Sequence, residues 1–177
     1  MKTRISLTAI VLALSIHTQA AAEGKAQATT TTPPAKSKTM TTTTKGSADV
    51  VKGFFEAFGK GDSEGVINSF HPETNIVAVR KGERKGDQLY GSYSGTEGAK
   101  TFLTNMGKNF DTKAFSVDHV IGEGNVAFAS GSFVHNIRST GKPYASAWAL
   151  KVIVKDGKIL EYHFFEDTAG FVEASKK

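Results

Sequence analysis

The chain has 177 residues with 22 Lys plus Arg against 17 Asp plus Glu, but six of those cations and one acid precede Ser47, so sixteen of each remain in the part that can fold. A neutral domain lacks the clustered cations that nucleic-acid binding needs to neutralise phosphates. Cysteine is absent, which excludes disulfides, thiolate nucleophiles, cysteine-held metals and a lipidated amino-terminal cysteine.

Lys2 and Arg4 precede an apolar run from Ile5 to Ile16, followed by small residues at Thr18, Ala20, Ala21 and Ala22. This is the three-part layout of a secretory signal peptide, so residues 1–22 are expected to be cleaved. The run is too short to span a bilayer, which takes about 20 apolar residues, and no stable membrane insertion is expected. Residues 23–46 are rich in Thr, Ala, Lys and Pro, with Thr quartets on either side of Pro33 and Pro34. Such a segment has little to bury against the entropy of ordering it and is expected to be a disordered linker. The product is then a soluble periplasmic or secreted protein whose folded domain is 47–177.

Within that domain the apolar residues first recur at helical spacing. Val50, Val51, Phe54, Phe55 and Phe58 form one stripe between Ser47 and Gly59, and Asp62 or Ser63 caps a second short helix that stops at His71-Pro72. Asn75 to Arg80 reads as a strand, and Lys81 to Gly95 is a charged, Gly-rich excursion carrying Tyr90 and Tyr93. Thr96 opens a third helix with Ala99, Phe102, Leu103, Met106 and Phe110 on one face. The period then falls to two over Phe115–Ile121, Val126–Ile137, Tyr144–Val154 and Lys158–Glu166, separated by Gly-containing turns. Helices followed by an antiparallel meander predict an α+β domain, with the helices covering one face of a curved sheet and a cavity between the layers.

This element order, with Val154-Lys155-Asp156-Gly157-Lys158-Ile159, the preceding Trp148 and the closing Phe165-Glu166-Asp167-Thr168-Ala169, resembles the SnoaL-like, polyketide-cyclase-related proteins of the nuclear-transport-factor-2-like (NTF2-like) superfamily, which also contains ketosteroid isomerases. The resemblance implies a cone-shaped fold with a pocket at its open end, frequent dimerisation through the sheet, and no metal or organic cofactor. It also implies a general acid/base on the last strand, where Asp167 is the matching residue. The ketosteroid-isomerase pattern needs a carboxylate on the first strand, and Ile76 to Arg80 supply none.

A two-residue Asp156-Gly157 loop pairs Lys155 with Lys158, which would set Trp148 against Phe165 and Ser146 against Asp167. A turn at Thr140-Gly141 would set His135 against Ser146. One face then carries His135, Ser146, His163 and Asp167 together with Phe133, Trp148 and Phe165. Asp167 is the candidate acid/base, with His135 and His163 as candidate assistants, and Trp148, Phe133, Phe165, Tyr93 and Phe54 as candidate ligand contacts. Asp167 has a competing role as the cap of a short carboxy-terminal turn from Thr168 to Phe171. No residues show metal-ligand spacing. The expected partner is a small, largely apolar molecule, acted on as a carbonyl compound without a cofactor. A non-catalytic binding domain and a homodimeric interaction domain, paired through Ala147, Ala149, Tyr162 and Phe164, remain open alternatives.

Overall fold

A computed structural model describes residues 45–177; the expected signal peptide and all but the last two linker residues lie outside them. The helices are α1 (Ser47–Gly59), α2 (Ser63–Asn68), α3 (Gly95–Asn109) and α4 (Thr168–Ser175). The strands are β1 (Phe70–Ala78), β2 (Gly91–Ser94), β3 (Phe110–Glu123), β4 (Val126–Ile137), β5 (Pro143–Lys155) and β6 (Lys158–Glu166). They form one six-stranded sheet in the order β2-β1-β6-β5-β4-β3. Neighbours are antiparallel except β1 and β6, which run parallel. The α+β architecture with a mainly antiparallel sheet is thus the one read from the sequence.

The helical stripe of α1 buries Val50, Val51 and Phe54 because residues three and four apart share a helix face. Ser47 does not cap this helix: Gly46 holds the cap position, and the Ser47 hydroxyl donates to the Val126 carbonyl at 2.8 Å. Asp62 does cap α2, accepting from the Gly65 N–H at 2.8 Å. Strands β4 and β5 alternate buried and exposed positions almost without exception, as expected of a sheet covered on one face. Edge strand β3 is largely exposed and carries two bulges, at Lys113 and Asp118. Bulges and charges at an edge discourage pairing with another chain.

Strand β6 departs from the expected register. Lys155 does pair with Lys158, but between Ile159 and Glu161 the strand carries an extra residue, Leu160. Beyond it Trp148 pairs with Glu166 and Leu150 with Phe164. A slip of one residue exchanges the two faces of a strand, so Tyr162, Phe164 and Glu166 face the helices while His163, Phe165 and Asp167 do not. The β4–β5 pairing slips by two, setting His135 against Tyr144 and Phe133 against Ser146, and this even shift keeps His135 on the helix side.

Candidate functional site

Between the helices and the sheet lies a cavity of about 50 Å³, lined by α1, α3, the inner sheet face and the connection from β1 to β2. Its wall is mostly aromatic: Phe54, Phe55 and Phe58 come from α1, Phe102 from α3, and Phe110, Phe115, Phe133, Tyr162 and Phe164 from the sheet. Four side chains with polar groups interrupt it, those of Tyr90, His135, Tyr162 and Glu166. A cavity of this size holds a few waters. A ring-sized ligand enters only if side chains move, and Phe58 and Met106, both half-buried, stand in its wall.

Glu166 ends β6 on the cavity side. The Tyr90 hydroxyl donates to its Oε1, reaching across from the β1–β2 connection. Burial pushes the Glu166 carboxyl up to about 8, and the neighbouring Asp167 charge adds to the shift. Removing a carboxylate from water disfavours its charged form, and a second negative charge does the same. The tyrosine hydrogen bond favours the charged form, so burial and Asp167 outweigh it. Tyr90 is itself held by α4, whose Phe171 ring lies 4.6 Å from it.

His135 is 5% exposed and lies between two rings, Phe133 at 4.1 Å and Phe110 at 4.6 Å, both stacked on it. Burial lowers its pKa to about 4, so the imidazole is neutral at pH 7. Among the described residues neither His135 Nδ1 nor the indole N–H of Trp148 finds a hydrogen-bond partner.

The structure corrects the expected place of Asp167. The residue is exposed, and its Oδ1 accepts from the Ala169 and Gly170 N–H groups at 3.0 and 3.2 Å, capping α4. Its backbone is clamped as well: the Asp167 N–H donates to Ser146 Oγ at 2.9 Å, and the Tyr144 hydroxyl donates to the Asp167 carbonyl at 2.7 Å. His163 also falls outside the cavity, packed 4.0 Å from Phe165, which is 43% exposed. Both follow from the extra residue at Leu160. Of the expected ligand contacts, Phe54 and Phe133 line the cavity and Phe165 does not. Trp148 stands behind the wall, stacked on Phe115 at 5.2 Å and Phe164 at 5.5 Å. Tyr93 is buried outside the lining, against Phe102 at 5.4 Å, with its hydroxyl donating to the Leu89 carbonyl at 2.6 Å and Arg84 over its ring. Sequence reasoning missed Glu166. Ile159 and Tyr162, three residues apart on one strand, are both buried because a bulge intervenes, and the sequence pattern carries no signal of it.

The family model of the SnoaL-like domain matches residues 51–162. The chain belongs to the SnoaL-like family. This SnoaL-like domain is 36% identical over 67 residues to patulin biosynthesis cluster protein F of Penicillium expansum, a stretch covering 37% of this chain and 34% of that protein. The match therefore spans about a third of the length of the curated relatives. Among solved structures, an NTF2-like protein from Burkholderia thailandensis superposes with a TM-score of 0.65 at 18% identity, covering 75% of this chain and 99% of that one. TerC, co-crystallised with polyporic acid, superposes with a TM-score of 0.61 at 21% identity, covering 72% and 96%. At such identities these likenesses show the fold, which is NTF2-like. Among the described residues of the SnoaL-like domain, no three His, Asp or Glu side chains converge as metal ligands, and no helix is long and apolar enough to cross a membrane.

Proposed function

We propose that this SnoaL-like domain binds a small, largely apolar carbonyl compound in its aromatic cavity and moves a proton on it with Glu166, without an organic cofactor. The observation that carries this reading is the Glu166 carboxyl, held by the Tyr90 hydroxyl, facing a largely apolar cavity where burial pushes it up to about 8. A carboxylate raised to working pH is a stronger base than an ordinary one and is still ionised in part. Ionised Glu166 takes a proton from the carbon beside the carbonyl. The electron pair moves onto the carbonyl oxygen as an enolate, and the proton returns from Glu166 to the same carbon or to a conjugated one. Tyr90 orients the carboxyl, and neutral His135 borders the same cavity as an uncharged polar contact. That TerC, which shares the fold, was co-crystallised with polyporic acid supports a small organic ligand for this domain.

Exchange of the α-protons of phenylacetone in D2O, followed by NMR, tests the reading on the full chain. Wild type is expected to accelerate exchange with a rate that rises with pH through about 8, and Glu166→Gln to abolish it. Asp167→Asn is expected to retain most of the activity. Exchange lost in Asp167→Asn and kept in Glu166→Gln would reverse the assignment.

A second reading concerns assembly. The outer sheet face exposes Phe128 at 49%, Val134 at 37% and Phe165 at 43% around the small residues Ala147 and Ala149. A partly apolar face with small side chains at its centre suits a second copy of the same sheet, as a homodimer with a self-complementary interface. Export is supported by the pattern of Met1 to Ala22.

A further inference from the structure

The chain leaves β1 through a backbone feature that the proton-transfer reading does not use. Val79 has φ +66, in the left-handed region that a β-branched side chain avoids. It is the centre of a tight turn in which the Arg80 N–H donates to the Ala78 carbonyl at 2.8 Å. A γ-turn with positive φ at its centre is rare and strained. The Val79 N–H donates to the Phe164 carbonyl at 3.0 Å, so contact with β6 continues one residue past the end of β1 while the chain reverses.

Consecutive strand residues face opposite sides of a sheet. Ala78, paired with Phe164, lines the cavity, so an extended Val79 would belong to the other face with Val77. Instead Ala78 and Val79 both line the cavity, on the strand beside β6 and two residues short of Glu166 in the ladder. Strain persists only where its surroundings over-determine it, and it concentrates at functional sites. We infer that Val79 is a positioning residue whose left-handed backbone turns its side chain into the cavity wall beside Glu166, where it keeps water from the carboxyl.

The inference rests on Glu166 being the proton-carrying group. The titratable groups around that carboxyl are Tyr90 from the β1–β2 connection, Asp167 beside it in the chain, Tyr162 on the same strand and His135 across the cavity on β4; burial raises Tyr162 and keeps it neutral. Arg80, next to Val79, is exposed with its guanidinium near Gly82. Val79 therefore acts by excluding water and not by charge.

Glycine takes positive φ without strain, which separates the side chain's role from the backbone's. The test is an NMR titration of the Glu166 side-chain carboxyl in the full chain, in wild type and in Val79→Gly, Val79→Ala and Val79→Ile, with urea unfolding of each. The Glu166 midpoint is expected to fall by about one pH unit or more in the Gly and Ala variants and to stay at the wild-type value in Val79→Ile. Val79→Gly is expected to unfold at a urea concentration no lower than Val79→Ala, because it sheds the strain. A Glu166 midpoint unmoved in both truncated variants overturns the role of Val79 and leaves the proton-transfer reading standing. A wild-type midpoint in the ordinary carboxylate range overturns both.

Discussion

Glu166 and Asp167 are adjacent carboxylates in opposite surroundings. One is taken from water beneath an aromatic wall; the other sits in solvent and caps a helix. An environment that raises a carboxyl toward neutral pH marks it as the group able to carry a proton there. The consequence for stability has a definite sign. Glu166 binds its proton more tightly folded than unfolded, so its contribution is fully present below about pH 4.5 and is lost as pH rises toward 8. His135, lowered to about 4, acts in the other direction, contributing above about pH 6.5 and losing that contribution as pH falls toward 4. The two oppose each other at mildly acid pH, and between about 6.5 and 8 the shifted carboxyl acts alone. Unfolding free energy is expected to fall across that window by on the order of 1–2 kcal/mol in wild type and to stay level in Glu166→Gln. Urea unfolding at pH 6.5, 7.2 and 8 checks this, and a level wild-type curve would contradict it. The strain at Val79, about 1–3 kcal/mol for such a conformation, is a second cost concentrated at the same site.

At the scale of elements, the cavity wall depends on close approach of β3, β4 and β5. A Cβ on Gly131 would lie 2.0 Å from the Ser116 carbonyl oxygen and 2.7 Å from the Trp148 ring, so only glycine lets the indole lie flat across β4. Gly131→Ala is expected to cost about 1–3 kcal/mol through overpacking, measured by urea unfolding. A neutral result would mean that the strands part without penalty. Most elements were legible in the sequence because their apolar periods were clean: the stripe of α1, the alternation of β4 and β5, and the Asp62 cap all formed as read. What was not legible was phase. In Lys158–Glu166 both alternations carry apolar residues, Leu160, Tyr162 and Phe164 in one and Ile159 and Phe165 in the other, so the pattern did not specify which face turned inward, and the bulge at Leu160 decided it. Strand β2 was hidden for another reason. Its four residues lie in a Gly-rich stretch and owe their pairing to β1 and not to their own propensity.

For the whole molecule, the sheet presents two apolar faces with different fates. The inner face is covered by α1 and α3 and encloses the cavity that Glu166 borders, whereas the outer face stays open at Phe128, Val134 and Phe165. If a second copy covers the outer face, Ala149→Arg is expected to convert dimers to monomers by analytical ultracentrifugation without moving the titration of Glu166. A wild-type monomer at micromolar concentration would contradict the pairing. The family resemblance implied an acid at the end of the last strand, at Asp167; the local register turns Glu166 to the cavity and leaves Asp167 in solvent. The most direct test of the account is therefore an NMR titration of every side-chain carboxyl. One Glu resonance is expected to titrate near pH 8 and to vanish in Glu166→Gln; a protein in which every carboxyl titrates below about pH 5 would contradict the account.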